Sequence, residues 1–496
     1  MNASLRRNGR RGTTMLLVST VLPLVLIPLV GLAIDGTVAY IVQAQLSTAA
    51  DGAALGAGRL LGTNANTEEI AREFVDANFP TGYWGSRNLQ RTATFTQNLS
   101  TKTVTISASV DVPLFFMRIF GNDHSTVAVN AVATRTVSRI ELVLDRSGSM
   151  AGNIGALRSA ATGFVQKFTP GVDQMGLVVF GGSAFVGWPT SKTLSSTGPT
   201  TTFADQASGQ DNMLTMISAI NSGSFTGTAE ALYLAWQEIK KADIILGDPS
   251  RPNYIVLFTD GMPNGITAYI NDPDNNSLKS GVCKPGTYNP ATSVATQMTG
   301  WMGTNSYTFN PGSNTAGVYV PITIETSHDA KYWAGNTGDQ TPIPNKPSGC
   351  TLSDLSDLAK IPDKDIYGNA TSTPEYTIAS LYQQHKKPYD NSQPSDGYHL
   401  ALASWSATYK MAQTIHNDTS LKITIYCIGY TGNGGVDATL LKRIANTPDS
   451  GDYHTNWPNR QIHRGQRYRR PEQRIQRHRR PDPSPLEVNP TPARAS

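Results

Sequence analysis

Four short stretches of nearly unbroken apolar residues do most to constrain the fold: IELVL (140–144), MGLVVF (175–180), YIVLF (254–258) and ITIYCIGY (423–430). Strands buried on both faces read this way, whereas half-exposed strands alternate apolar and polar residues. Helical patterns lie between the runs. Residues 154–168 set Ile154, Leu157, Ala161, Phe164, Val165 and Phe168 on one helical face, and 229–240 do the same with Leu232, Ala235, Trp236 and Ile239. A further helical stretch, 398–416, precedes the last run. Alternating strand and helix predicts an α/β fold with a doubly wound, mostly parallel sheet and its site at the C-terminal strand ends. The alternation stops between Gly265 and Ser392, a stretch rich in Asn, Thr, Pro and Gly that nonetheless carries Trp301, Phe309 and Trp333. Disordered linkers lack such an aromatic load. An ordered, loop-rich insertion at 265–392 is therefore expected, splitting the α/β domain into 139–264 and 393–455.

The N-terminus constrains location. Residues 15–34 (MLLVSTVLPLVLIPLVGLAI) carry no charge, and twenty helical residues cross a hydrocarbon core of about 30 Å. Pro23 and Pro28 are tolerated in such a span. The run is longer than a signal-peptide core and continues into a helical pattern through Tyr40, Val42 and Leu46, which favours a retained anchor over a cleaved signal. Arg6, Arg7, Arg10 and Arg11 in the basic segment 1–14 face Asp35 and Asp51 on the other flank. The positive-inside rule then keeps the N-terminus cytoplasmic and exports the rest. Residues 67–79 read as an amphipathic helix, and 92–95, 103–112 and 125–136 alternate as half-buried strands do. Residues 35–138 are thus expected to form a small α+β region. Within it PLFFMRIFG (113–121) is too apolar for a free loop.

Charge is unevenly spread. The net charge of +4 combines +4 from residues 1–34 and +7 from residues 459–496, leaving −7 for the body between them. An acidic body gives no argument for nucleic-acid binding. With 39% hydrophobic and only 16% charged residues, a disordered polyelectrolyte, a coiled coil and a multi-span membrane protein are excluded. The three Cys fit an oxidising compartment: Cys283 and Cys350 are a candidate disulfide pair in the loop-rich stretch, and Cys427 reads as a buried thiol.

The chemistry sits at the ends of the apolar runs. The first ends in LDRSGSM, giving Asp145, Ser147 and Ser149; the third ends in FTDG, giving Asp260; between them GTAEAL places Thr228 at a helix start. Strand-end loops of an α/β sheet share one rim, so two carboxylates and three hydroxyls are expected to converge without thiolate or imidazole. Such hard oxygen donors select Mg²⁺, with Ca²⁺ or Mn²⁺ as alternatives, and reject zinc. Two carboxylates do not fill an octahedral shell, which leaves a position for a partner's oxygen. No H-E-x-x-H, C-x-x-C or G-x-S-x-G pattern is present, and no general base stands beside the cluster, so an enzyme is not expected.

Two resemblances follow from these residues. Gly31–Gly58, with Ala33-Ile34-Asp35, Gln45-Leu46 and Ala50-Asp51-Gly52-Ala53-Ala54, resembles the N-terminus of TadE/TadG-like proteins of Flp (Tad) pilus assembly. Cleaved members carry Glu at the fifth position after a Gly; here Leu17 follows Gly12 at that spacing, so the uncleaved branch is implied. Asp145, Ser147, Ser149, Thr228 and Asp260 resemble the metal-ion-dependent adhesion site of von Willebrand factor A domains. That resemblance implies Ser147, Ser149 and Thr228 as the closest ligands, with Asp145 and Asp260 acting largely through water. Together the two imply a bacterial inner-membrane, single-pass protein with a periplasmic or extracellular domain. It would bind a protein partner that presents an acidic residue, with pilus-assembly components among the candidates. A pilus-independent surface adhesin and a metal-assisted hydrolase are the alternatives.

The tail, 459–496, has two readings. Nine Arg against one acid in residues 459–480 read as a disordered polyanion-binding segment. Codons allowed from Asn459, read with one base removed, instead encode apolar residues at helical spacing, as a reading-frame shift would leave behind. The nucleotide sequence decides between them.

Overall fold

Small residues let a helix lie close against a sheet, and the N-terminal unit, residues 1–137, is built on that principle. The helix α1 (Gly9–Leu60) packs on a three-stranded antiparallel sheet of β1 (Arg87–Gln97), β2 (Thr101–Pro113) and β3 (His124–Thr136), with α2 (Thr67–Asn78) beside it. Strand β2 alternates strictly, turning Val104, Ile106, Ala108, Val110 and Val112 to the core. They meet the α1 stripe Leu46, Ala49, Ala50, Ala53, Ala54 and Ala57, all buried. A Cβ on Gly58 would already stand 3.3 Å from the Ala133 Cβ. The alanine-rich motif is thus a packing surface, while Asp51 faces solvent. The computed structural model describes residues 9–61, 66–98, 100–182, 184–189, 195–205, 212–223, 225–247, 251–260, 262–269, 271–272, 275–276, 299–304, 317–320, 358–377, 388–389, 397–430, 436–458 and 463–465.

At 52 residues, α1 runs about 78 Å, far beyond a bilayer. It is unbroken through Pro23, Pro28 and Asp35, and its side chains from Val25 to Leu32 are mostly exposed and apolar. It is the one described helix long and apolar enough to cross a membrane. The expected apolar run is therefore the lower part of a longer rod whose upper part belongs to the sheet. Residues 114–123 form the β2–β3 connection with a 3₁₀ turn at Met117–Phe120; its backbone is held by Asp35, while Phe115, Ile119 and Phe120 are exposed.

The second unit, from Ser138 onward, holds the parallel sheet. Its strands are β4 (Arg139–Asp145), β5 (Gln174–Phe180), β6 (Ala184–Trp188), β7 (Asn253–Thr259), and, after the intervening segments, β15 (Thr424–Tyr430) and β16 (His463–Gly465). Their spatial order is β16-β15-β7-β4-β5-β6, parallel throughout except for the antiparallel edge strand β6. This is the doubly wound, mostly parallel α/β sheet expected from the apolar runs. Every residue of β4 and β5 is buried. One face of the sheet (Val143, Val178, Ile255, Leu257, Ile425, Cys427) packs on α5 (Thr228–Leu246), α6 (Gly397–Asn417) and α7 (Ala438–Ile444). The other (Leu142, Leu144, Leu177, Val179, Val256) packs on α3 (Ile154–Val165) and α4 (Met213–Ala219). Burial pushes the Cys427 thiol well up, as suits an inert core residue. Helix α6 is buried almost all round, so its hydroxyls turn inward on themselves: Ser404, Ser406 and Thr408 donate to the carbonyls four residues back at 2.8, 3.0 and 2.8 Å.

Between β7 and α6 the described segments include β8 (Gly265–Tyr269), the two-residue pair β9 (Asn271–Asp272) and β10 (Asn275–Asn276), β11 (Thr299–Thr304), β12 (Gly317–Val320), β13 (Thr373–Thr377) and β14 (Pro388–Tyr389). Strands β12, β11 and β8 form a small antiparallel sheet. Leu358 and Ile361 are fully buried in the main core, and the Tyr367 ring stacks on Tyr233 of α5 at 4.1 Å. Cys283, Cys350 and the residues after 465 lie outside the described residues.

Two carboxyls of this core have unequal fates. Glu238 of α5 accepts from the Ser195 N–H at 2.7 Å and from its hydroxyl. Glu141 of β4 is fully buried, and neither oxygen has a hydrogen-bond partner. A Cβ on Gly176 of the adjacent strand would strike its Oε2 at 2.1 Å, so Gly176 makes the room. Burial, and secondarily the charge of Glu238, holds Glu141 well above the ordinary carboxyl range. A carboxyl whose folded pKa is raised contributes fully below its unfolded value and loses that contribution as pH rises through the folded value. Glu141→Gln is therefore expected to gain stability over the parent chain as pH rises from about 5 to about 8, by up to about 1.4 kcal/mol per pH unit. Urea denaturation in chelator at those two pH values measures it; equal pH slopes for both chains would refute the assignment.

Candidate metal centre

Parallel register puts the ends of β4 and β7 side by side: Leu144 is level with Phe258, and Asp145 with Phe180 of β5. Asp145 is fully buried, and both of its oxygens are held. The Ser147 N–H donates to Oδ1 at 2.7 Å, a two-residue Asx turn. The Thr259 hydroxyl, from the end of β7, donates to Oδ2 at 2.6 Å. The chain then enters a 3₁₀ turn, Gly148–Asn153, which brings the Ser149 hydroxyl 3.1 Å from that of Ser147. The far end of this turn is tied to β15, where the Tyr430 hydroxyl donates to Asn153 Oδ1 at 2.8 Å.

Asp260 follows Thr259 directly and is 2% exposed. It is hydrogen-bonded to Ser149 and lies close enough to Asp145 for the two carboxylates to repel. Burial first, and the like charge of Asp260 second, raise Asp145 above the usual carboxylate range; burial raises Asp260 too. Its Oδ2 is buried with no hydrogen-bond partner.

Thr228 opens α5 on the same rim, and its loop is laced to the neighbouring strand ends. Gly227 N–H donates to the Gly181 carbonyl at 2.6 Å. A Cβ at Gly227 would sit 2.5 Å from the Gly182 oxygen, so the loop approaches this closely only with glycine there. Thr226 N–H donates to Asn264 Oδ1 at 2.7 Å, and Asn264 N–H returns to the Thr226 carbonyl at 3.1 Å. Thr228 itself is 2% exposed, and its Oγ1 is buried without a partner.

Asp145, Ser147, Ser149 and Asp260 are thus joined by direct interactions, and Thr228 is placed through its loop. Sequence reasoning missed the supports. Thr259 and Gly227 stood inside the FTDG and GTAEAL motifs, but their roles need the contacts between strand ends; Asn264 carries no distinguishing pattern. Among the described residues no three or more His, Cys, Asp or Glu side chains cluster as metal ligands, so a cation here depends on hydroxyls as well. The donor set fits a hard divalent ion. Two mutually repelling buried carboxylates, an orphaned Oδ2 and an orphaned hydroxyl would each be satisfied by one positive charge.

Comparison with known proteins bears on the two units separately. Among solved structures, the pilus adhesin SpaC from Lactobacillus rhamnosus GG in its open conformation is 12% identical, with a TM-score of 0.33, over 81% of this chain and 35% of that one. Three N-terminal domains of the type V pili tip protein Mfa5 from Porphyromonas gingivalis are 15% identical, TM-score 0.28, over 72% of this chain and 50% of that one. A von Willebrand factor type A protein from Catenulispora acidiphila is 15% identical, TM-score 0.20, over 35% and 34% of the two chains. This chain therefore spans half or less of those structures' lengths. No curated protein matches it. The family models match directly: residues 12–60 that of the putative Flp pilus-assembly TadE/G-like family, and residues 140–262 that of the von Willebrand factor type A domain. The chain joins a TadE/G-like N-terminal segment to a von Willebrand factor type A domain, the fold that its strand order describes.

Proposed function

We propose that this is a membrane-anchored protein whose exported A domain binds a protein partner through a divalent cation, in Flp pilus assembly or surface attachment. The apolar part of α1 is the anchor, with the basic N-terminal segment on the cytoplasmic side of a bacterial inner membrane. Asp145, Ser147, Ser149, Thr228 and Asp260 hold the ion, Mg²⁺ in the first instance. When bound, the cation supplies a coordination position that an Asp or Glu oxygen of the partner fills. The chain's own residues preorganise that position. Thr259 and the Ser147 N–H fix Asp145, Ser149 restrains Asp260, and the Gly227 loop fixes the start of α5. Among the described residues no His, Cys or third acid clusters with these groups, and the reading taken is binding, with hydrolysis as the alternative.

The observation that carries this reading is that Asp260, whose charge repels buried Asp145, keeps a buried Oδ2 without a partner, while Thr228 Oγ1 on the same rim is also buried and unpartnered. An uncompensated arrangement of this kind costs folding free energy unless a cation completes it. Saturating Mg²⁺ or Mn²⁺ is expected to stabilise the chain, by about 2.7 kcal/mol at a hundredfold excess over Kd. Thermal denaturation with and without chelator reads this. Asp145→Ala is expected to abolish the shift. Asp260→Asn, which relieves the repulsion, is expected to fold as well as the parent without metal and to respond weakly to it. Equal metal response in all three chains sinks the site.

Partner binding is separately testable with an array of short peptides that differ only in Asp against Asn. Retention is expected for the Asp peptides in Mg²⁺, lost in chelator and lost in Thr228→Ala. Retention that ignores metal, or that treats Asn and Asp alike, argues against carboxylate capture.

A further inference from the structure

The β2–β3 connection of the N-terminal unit is the least explained surface of the molecule. Leu114–Phe120 is an apolar stretch in a small, well-packed region, yet Phe115, Ile119 and Phe120 are 59%, 78% and 63% exposed. Flexibility does not account for it, because the backbone is pinned. Asp35 of α1, itself 2% exposed, accepts the N–H groups of Phe115, Phe116 and Met117 at 2.8, 3.0 and 2.9 Å. The loop also closes on itself: Leu114 N–H donates to the Asp123 carbonyl at 3.0 Å and Gly121 N–H to the Arg118 carbonyl at 3.1 Å. Gly121, at φ +89, makes the left-handed turn that ends the 3₁₀ segment.

What the loop is fastened to says what covers it. Asp35 is the residue immediately after the uncharged run 15–34. Phe116 lies one turn lower against Gly31, where a Cβ would meet its side chain at 2.5 Å. The displayed side chains therefore stand beside the last apolar turn of the helix, whose own Val30, Leu32 and Ile34 are exposed. From there α1 rises along the sheet, so that Gly58 reaches Ala133 and Val104 at the opposite end. The surroundings are those of a membrane interface. Tyr40 on the helix is exposed, and so is Trp84, in the short turn whose Gly85 abuts Pro113. Amphipathic rings of this kind settle at headgroup level. Arg118 is exposed between the apolar side chains, and a long basic side chain there extends to the headgroups while its stem stays in apolar surroundings.

We propose that the β2–β3 loop is a second membrane contact: Phe115, Ile119 and Phe120 insert into the leaflet from which α1 emerges, and Asp35 locks them to the helix. The occupant is lipid, and the consequence is orientational. A single helix leaves a domain free to swivel and tilt, whereas a helix with a rigid apolar foot beside it fixes the N-terminal unit upright on the membrane. The inference rests on the reading of α1 as a membrane anchor.

Site-directed spin labelling of the full chain in phosphatidylethanolamine–phosphatidylglycerol vesicles tests it. Single labels are placed at Ile119→Cys, at Val25→Cys in the anchor and at Thr96→Cys at the far end of the sheet, in a background of Cys283→Ser, Cys350→Ser and Cys427→Ser. Collisions with oxygen report lipid, and collisions with a water-soluble nickel chelate report solvent. The label at 119 is expected to lose nickel collisions and gain oxygen collisions relative to 96, approaching the label at 25. If 119 behaves as 96 does while 25 is protected, the anchor stands and the foot is refuted. Shielding of 119 from both reagents refutes it in favour of a protein contact. If the label at 25 is open to nickel, the anchor reading fails and this inference fails with it.

Discussion

The second unit depends on β4 being buried on both faces and hydrogen-bonded on both edges. A strand in that position has no freedom of register. Its partners β5 and β7 run parallel to it, so all three end on one rim. The residue that ends β4 is Asp145, placed where solvent cannot neutralise it. Everything nearby answers that carboxylate: the Asx turn to Ser147, the Thr259 hydroxyl from the next strand, and Asp260 one residue further on. The sheet thus both positions the candidate site and concentrates charge there, and a low-dielectric rim makes that charge consequential.

The fold was legible because a strand buried on both faces cannot alternate. Apolar runs at 140–144, 175–180, 254–258 and 423–430 marked four of the six strands of the main sheet, and helical periodicity marked α3, α5 and α6. Edge strand β6 carried no comparable run, having one neighbour and half-exposed positions at Phe185 and Trp188. Among site residues, the local motif D-x-S-x-S was visible because its spacing is set within one turn. Thr259 and Asn264 were not, since each acts across a contact between segments distant in sequence. For residues 113–121, apolar composition indicated a segment that is no free loop, and Asp35 pins it, but the composition did not indicate what its exposed side chains face. Apolar composition marks a segment as protected from water, but it does not say whether protein or lipid does the protecting.

Asp35 and Asp145 show one device used twice. Each is a buried carboxylate that accepts backbone N–H from a loop, three groups at Asp35 and one at Asp145, whose other oxygen takes the Thr259 hydroxyl, and each thereby helps fix its loop. Around Asp35 the fixed groups are aromatic and aliphatic side chains, and the carboxylate is saturated by three donors. Around Asp145 they are hydroxyls, and donors are too few: the neighbouring Asp260 keeps an oxygen without a partner. The difference in saturation separates a structural clamp from a site with capacity left over.

The same accounting separates the two buried acid pairs that share β4. Glu141 and Glu238 lie inside the domain, where Ser195 supplies donors to one and nothing reaches the other. The inexpensive solution for that pair is a proton on Glu141, since a neutral carboxyl avoids most of the desolvation penalty. At the rim burial and the charge of Asp260 raise Asp145 in the same direction, against the hydrogen bonds it accepts. Asp145 receives hydrogen bonds on both oxygens, which favour its ionised form, while the Thr228 hydroxyl and Asp260 Oδ2 keep no partner. Glu141 is left without a hydrogen bond whereas Asp145 accepts one on each oxygen, and that difference is what the proposed cation would exploit.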